Sequence, residues 1–397
     1  MQPPDKFKWI HTTQELIRFS RSLNPEIPLT LDIEADSLHH YREKLCLIAL
    51  AHGPQHALID ALAIDNWSAI WPLWQRHTWI FHGMEYDLKM LRQVGAHPPQ
   101  AIFDTAVAAQ ILNIQAFGYA ALVERYFGVR LNKSSQRDDW SIRPLPEKML
   151  RYAIADVFYL QPLAEKMRAE LIAHNRLSWH EQTCHRIMRL AFSNADSGSK
   201  EGTLDDNDTD DRWRIRGSRN LPQEGLSILK ALWFWREKEA ERRDVPVFKV
   251  INNEQLLTLV RWSLETRHLD QWPPTLRWLS RHPHIAQQLL KIIHTARSAA
   301  PDEAHPPKPS PKTHNPHFDR NMQILKTARD SAAARCNLAP SFIASKQLLT
   351  ILSRDPHHSP QLLLDTYRWS PWQHDLLAEA LQTIQKSDPT EVSQKSQ

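Results

Sequence analysis

The first 192 residues switch repeatedly between two hydrophobic periods, which predicts strands interleaved with helices. In Leu29–Glu34 the apolar Leu29, Leu31 and Ile33 alternate with Thr30, Asp32 and Glu34, the period of a strand with one apolar face. Leu45–His52 is nearly continuous in apolar residues, as a central strand buried on both faces requires. Ala57–Asp60 and Thr78–His82 are shorter strand candidates. Helical spacing takes over at Trp67–Arg76, Tyr86–Val94, Thr105–Leu112, Tyr119–Phe127 and Pro146–Asn175. The expectation over residues 1–193 is an α/β domain, a mixed sheet with flanking helices.

The pattern then changes. Residues 194–211 are polar and acidic with interspersed Gly and Ser, the composition of a flexible linker. Its aspartates do not make a calcium loop, because the central Gly and terminal Glu of an EF-hand are missing. Residues 212–298 are helical throughout, with Leu226, Leu229 and Trp233 at helical spacing. Residues 299–316 hold six prolines and form a second linker. Residues 317–385 return to a helical pattern, with Ser345 placed to cap a helix over 346–352. Residues 386–397 are a polar tail.

Composition narrows the class. No apolar run approaches a membrane span, and the N-terminus lacks an apolar signal region, so no membrane partner is expected. Cys46, Cys184 and Cys336 are far apart, which excludes a CxxC site and fits a reducing, cytoplasmic setting. Net charge is only +4, but it is unevenly spread. Residues 194–211 carry −6 and residues 212–300 carry +8. A local basic excess of that size suits either a nucleic-acid footprint or a solvated helical surface.

Candidate chemistry concentrates in five residues of the first domain. Asp32 and Glu34 are two apart on a strand and so project from one face. Tyr152 and Asp156 are four apart and share one face of a helix. Asp87 falls near the start of the helix after Thr78–His82. Carboxylates gathered without a counter-charge repel one another, and a divalent cation relieves that. All-oxygen ligands select magnesium or manganese over zinc. Two such ions can activate water and stabilise a leaving oxygen, and a phenol beside a carboxylate can orient that water.

In this order and context the motifs resemble the ribonuclease D family, in the tyrosine-bearing branch of the DEDD exonuclease superfamily. The first motif is Asp32 and Glu34, the second runs from His82 to Asp87, and the third is Tyr152 and Asp156. Phe103–Thr105, Gly118–Val123 and Leu131–Leu145 also look like this family. The helical parts resemble two HRDC domains, one marked by Trp235–Ala240, Asp244 and Pro246, the other by Leu338–Pro340 and Tyr367–Trp369. The resemblance implies an RNase H-like exonuclease domain followed by two all-α HRDC bundles. It implies a monomeric 3′-to-5′ exoribonuclease that trims RNA precursors such as tRNA and releases nucleoside 5′-monophosphates. Asp32 would bridge two metal ions, Glu34 and Asp156 would serve the ion that binds the attacking water, Asp87 would help hold the other ion, and Tyr152 would position the water. The motifs leave two alternatives open: a DNA exonuclease with the same catalytic residues, and a non-catalytic RNA scaffold. The scaffold would normally lack a carboxylate, and none is missing.

His82, Lys133, Arg137, Trp140 and Arg143 are candidate substrate contacts. The last four place cations around an aromatic shortly before the catalytic helix, which suits a phosphate backbone and a stacked base. A satisfied strand-end histidine and loop charges around a core tryptophan are the structural alternatives. Asp104 precedes a helix and is expected to cap it. Asp36, Asp60, Asp138 and Asp139 show no partner at useful spacing in the sequence.

Overall fold

The computed structural model describes residues 3–4, 6–132, 134–193, 211–266, 272–298, 316–357 and 369–387. The expected linkers (apart from their last residues, 211 and 316), Lys133, Tyr367 and nearly all of the expected tail lie outside these residues. The chain divides into two compact units. One comprises Met1–Ala35, Leu45–Gly198 and Thr313–Gln397, and the other comprises Asp36–Lys44 and Ser199–Lys312.

The first unit opens with β1 (Lys8–Ile10), α1 (Thr13–Arg21), β2 (Leu29–Ala35), β3 (Leu45–His52), β4 (Gln55–Asp60), α2 (Trp71–Trp74) and β5 (Thr78–Phe81). It continues with α3 (Glu85–Gln93), β6 (Ala101–Asp104), α4 (Thr105–Ile111), α5 (Tyr119–Phe127), α6 (Glu147–Phe158), α7 (Leu160–Ala173) and α8 (Leu177–Phe192). The six strands form one mixed sheet in the order β1-β4-β3-β2-β5-β6. β3 runs antiparallel to both β2 and β4, while the β1–β4, β2–β5 and β5–β6 pairs are parallel.

The sheet's two faces sort the side chains of its central strands. Leu31 and Ile33 of β2 join Ile48 and Leu50 of β3 in the main core. The opposite face of β3, with Leu47 and Ala49, packs under α6 through Met149, Ala153, Ile154 and Val157. Asp32 pairs across the ladder with Ala49, and Glu34 with Leu47. Cross-strand partners share a face, so both carboxylates lie on the α6 side.

The structure departs from the expected pattern in places, and the helix expected over Trp67–Arg76 forms only at Trp71–Trp74. Pro146–Asn175 is not one helix but α6 and α7, broken at Tyr159. Pro162 explains the break: it has no N–H and would clash with the carbonyl four residues back, but it is tolerated in the first turn of a new helix. β1 and β6 have three and four residues, too few to show a period.

The second unit holds α9 (Gln223–Arg243), α10 (Val247–Val250), α11 (Asn253–Glu265) and α12 (Pro283–Ser298). Leu229, Leu232 and Trp233 of α9 are buried in its core, with Leu226 packed against it. The segment Asp36–Lys44 belongs to this unit. Tyr41 Oη donates to Glu237, 3.3 Å away, His40 meets Asp244 at 2.7 Å, and Arg42 meets Glu241 at 2.7 Å.

The first unit resumes with α13 (Pro316–Cys336), α14 (Pro340–Ile343), α15 (Lys346–Arg354) and the helices Pro371–Asp375 and Ala378–Lys386. Ser345 caps α15 as expected, accepting the Leu348 N–H at 3.1 Å. These helices dock on α8 through Trp372, whose ring stacks on Trp179 at 4.6 Å. The Trp372 indole donates to Thr183 Oγ1 at 3.0 Å, and its backbone N–H donates to Gln182 Oε1 at 2.8 Å. Trp372→Ala removes a buried aromatic of this kind and is expected to destabilise the unit by about 3 kcal/mol. Urea unfolding measures it, and a change below about 0.5 kcal/mol would contradict this packing account.

Candidate active site

Three carboxylates meet on the α6 side of the sheet. Asp32, Glu34 and Asp156 each present a ligand atom, all within 4.8 Å of one another. Asp32 and Glu34 come from adjacent same-face positions of β2, and Asp156 comes from the face of α6 turned toward that strand. Ala49 opposite Asp32 is small, which leaves room beside the carboxylate. Asp87, buried in the first turn of α3, is close enough for its charge to act on both Asp32 and Glu34. Tyr152 hydrogen bonds to Asp156 one helical turn away. The structure therefore brings all five expected residues together.

The electrostatics are those of charges gathered without a counter-ion. Burial, followed by the charges of Glu34, Asp156 and Asp87, pushes Asp32 well above the usual carboxylate range. Burial and the charges of Asp156 and Asp87 push Glu34 up to about 9. Burial raises Asp156 to about 7, against the Tyr152 hydroxyl, which pulls it down. Asp87 is raised by burial and then by Asp104, and Tyr152 is raised by burial and by Asp156. A low-dielectric cleft lined with like charges has this effect.

Asp104 fixes where α3 begins. As expected it caps α4, accepting the Ala106 and Val107 N–H groups at 2.7 and 3.1 Å. It also accepts the N–H groups of Gly83 at 3.0 Å and Met84 at 2.7 Å, just before the helix that carries Asp87. Gly83 has φ +83°, a left-handed conformation that glycine adopts at no steric cost, and it turns the chain from β5 into α3. The cap was readable from the sequence, but its reach across 21 residues was not.

Tyr119 was not singled out by sequence reasoning. Its hydroxyl donates to the Ala155 carbonyl at 3.0 Å, and burial followed by the Asp156 charge raises its pKa well above normal. It supports the segment of α6 next to Asp156. The hints in the sequence were its place at the head of a helix after Gly118 and within the family-like run Gly118–Val123.

The expected substrate contacts fare differently. Trp140 is only 1% exposed and packs in the core beside Tyr152, so no base can stack on it. Arg143 holds Asp60 in a two-pronged ion pair at 2.8 and 2.6 Å and also bonds the Cys46, Trp140 and Ile142 carbonyls. Its donors are spent inside the protein, which removes it as a phosphate contact, and Asp60 has the partner that sequence spacing did not reveal. His82 Nδ1 bonds Thr105 Oγ1 at 2.9 Å, with its ring beside Tyr119, and burial lowers its pKa. That is the satisfied strand-end histidine. Arg137 is exposed on a turn. Lys133 lies outside the described residues.

A family model described as a 3′-5′ exonuclease matches residues 7–172, and a model for the HRDC domain matches residues 225–262. Ribonuclease D of Escherichia coli is 26% identical over 394 residues, covering 96% of this chain and 99% of that protein. The crystal structure of E. coli RNase D, an exoribonuclease involved in structured RNA processing, superposes with a TM-score of 0.69 at 25% identity, covering 97% of this chain and all of the other. Ribonuclease D of Zymomonas mobilis subsp. mobilis is 32% identical over 284 residues, 69% of each chain. The chain belongs to the ribonuclease D family. Its fold is that of the family, an α/β exonuclease domain on a six-stranded mixed sheet followed by a helical HRDC region.

Ribonuclease D and its DEDD relatives depend on divalent metal, and the residues here fit one. The donor set is all carboxylate oxygen, clustered and mutually repelling, the combination that hard divalent cations satisfy. The raised pKa values set the sign of a pH effect. Folding holds these carboxyls protonated above their ordinary values of 3.8 and 4.5, so the metal-free protein loses stability as pH climbs through about 7 (Asp156) and about 9 (Glu34). Metal competes with the same protons. Calorimetric titration with Mn2+ should show affinity rising from pH 6 to 9 with proton release, and binding without proton release would contradict this electrostatic picture.

Proposed function

We propose that this chain hydrolyses RNA from the 3′ end with two divalent ions, trims structured precursors such as tRNA, and releases nucleoside 5′-monophosphates. The observation that carries the reading is the carboxylate cluster of Asp32, Glu34 and Asp156, with Asp87 acting on it and Tyr152 bonded to Asp156. At the level of class the chain is a metal-dependent 3′-to-5′ exoribonuclease, in keeping with relatives that match nearly its whole length.

Asp32, Glu34, Asp87 and Asp156 would hold the ions, with magnesium or manganese favoured by the all-oxygen ligand set. Bound ions of this kind supply the charge that activates water and steadies a leaving 3′-oxygen. Tyr152, held by its bond to Asp156, orients a water at the edge of the cluster through its hydroxyl. Burial keeps that phenol protonated at neutral pH, so it serves as a hydrogen-bond donor and positioning group. The α6 packing and the Asp104 cap hold the ligands in place before substrate arrives.

Structured RNA as the substrate follows the activity stated for the E. coli protein. The five site residues come from one chain, which supports action as a monomer. Among the described residues no helix is long and apolar enough to cross a membrane, and the three cysteines are free thiols, which supports a reducing, cytoplasmic setting. We also propose the domain division 1–193, 212–298 and 317–385, joined by linkers at 194–211 and 299–316 and followed by a tail at 386–397. The helices of 317–385 would be a second HRDC domain, supported by Leu338–Pro340 and by the Arg-Trp pair at 368–369.

A time course on matched RNA and DNA strands, with and without Mg2+, tests the reading. The unmodified protein should release mononucleotides from the RNA 3′ end only with metal and should prefer RNA. Asp32→Asn and Asp156→Asn should each abolish release while RNA is still bound. Full activity in either variant, or preference for DNA, would overturn the proposal.

A further inference from the structure

α8 is gripped on two sides. Trp179, Thr183 and Arg186 are spaced at helical intervals and share one stripe of the helix. That stripe takes the carboxy-terminal helices. Beyond the contacts of Trp372, Thr183 Oγ1 lies 3.4 Å from Ser370 Oγ, and Arg186 Nε donates to the same oxygen at 3.0 Å. His180, Cys184 and Ile187 form the neighbouring stripe, and all three are buried. β6 is the edge strand of the sheet, so part of its backbone has no ladder partner. His180 supplies one at Asp104. Its Nε2 lies 3.0 Å from the Asp104 carbonyl oxygen and 3.3 Å from the Asp104 backbone nitrogen. Its ring packs on Phe103 with centroids 4.2 Å apart. Burial lowers the pKa of His180 to about 4, so the ring is neutral at pH 7.

The path continues through the Asp104 side chain, whose two oxygens serve different helices. Oδ1 accepts the N–H groups of Ala106 and Val107 in α4, and Oδ2 accepts that of Met84 ahead of α3. The Gly83 N–H is shared between them, at 3.1 and 3.0 Å. A shift of Asp104 would therefore carry the start of α3, and Asp87 in its first turn, along with it. The far end of α3 is tied to the same helix, because Arg92 donates to the Ala191 carbonyl of α8 at 3.0 Å. Asp32, Glu34 and Asp156 come from β2 and α6 and lie off this path.

We infer that His180 is a positioning residue for Asp87, acting through Asp104, and that the carboxy-terminal helices hold His180 in place by bracing α8. The inference rests on the two-ion reading in taking Asp87 as a ligand of the second ion. A ligand whose supporting groups are locked offers the ion a formed site, whereas a loose one must be ordered at the moment of binding. The brace therefore acts on the ion that Asp87 holds and leaves the three-carboxylate cluster as it is.

Mn2+ binding to the full chain, followed by the electron spin resonance signal of the free ion, tests this without any turnover. The unmodified protein should take up two ions, the tighter one at the three-carboxylate cluster. His180→Leu removes the bond to Asp104 without changing the charge at pH 7. It should weaken the second ion about tenfold, the low end of what a group supporting a metal ligand contributes, and leave the first ion unchanged. His180→Gln returns a donor and an acceptor near the place of Nε2 and should restore most of that affinity. Trp372→Ala, read at a temperature where it is folded, should weaken the same ion about threefold, within the range of coupling carried through packed side chains. It carries the test if His180→Leu does not fold. Unchanged Mn2+ affinities in folded His180→Leu or in Trp372→Ala would overturn the inference. So would equal loss in the Leu and Gln variants, which would assign the effect to packing on Phe103. Failure of the two-ion reading would show separately, as an unmodified protein that binds fewer than two ions.

Discussion

The structure is organised around an unfavourable interaction. Four carboxylates, Asp32, Glu34, Asp87 and Asp156, are all raised in pKa by burial, and the charges of Asp87 and Asp156 raise Asp32 and Glu34 further. Left to itself such a cluster would spread apart or take up protons. The rest of the fold prevents the first, and a divalent cation removes the need for the second. The site is thus electrostatically strained without metal and compensated with it, and binding of metal becomes coupled to the loss of protons.

Three separate pieces of framework impose that proximity. The β2–β3 ladder fixes Asp32 and Glu34 opposite Ala49 and Leu47, and a slip of one residue would turn both into the main core. The apolar face of α6, through Met149, Ala153 and Val157, presses Tyr152 and Asp156 onto the same side of the sheet. Asp104 takes up the backbone N–H groups at the start of both α3 and α4 and so positions Asp87 without touching the reaction. Each piece satisfies ordinary rules of packing and hydrogen bonding, and the repulsion is confined to the residues that would meet the ions.

The legible part of the site is the part written in local periodicity. Asp32 and Glu34 could be placed on one face by strand geometry, and Tyr152 and Asp156 by helix geometry, because both relations span fewer than five residues. In the loop before α6, Arg143 and Trp140 are not legible for the opposite reason. Arg143 looked like a phosphate contact because Asp60, its partner, is 83 residues away. Trp140 looked like a stacking platform because nothing local shows that it is buried under the sheet beside Tyr152. Tyr119 and the wider reach of Asp104 went unnoticed because both act on segments distant in the chain. At the level of architecture, the alternation of strand and helix was plain, but the carboxy-terminal helices dock on α8 through Trp372 and Trp179, a contact between residues 193 apart.

The central claim, that the carboxylates exist to grip cations, is accessible to one observation. Crystals grown with Mn2+ and measured at a wavelength where manganese scatters anomalously should show two peaks about 4 Å apart. Oxygens of Asp32, Glu34, Asp87 and Asp156 should surround them. Absence of any peak within that cluster at saturating Mn2+, or metal bound elsewhere with the four carboxylates turned apart, would contradict the account.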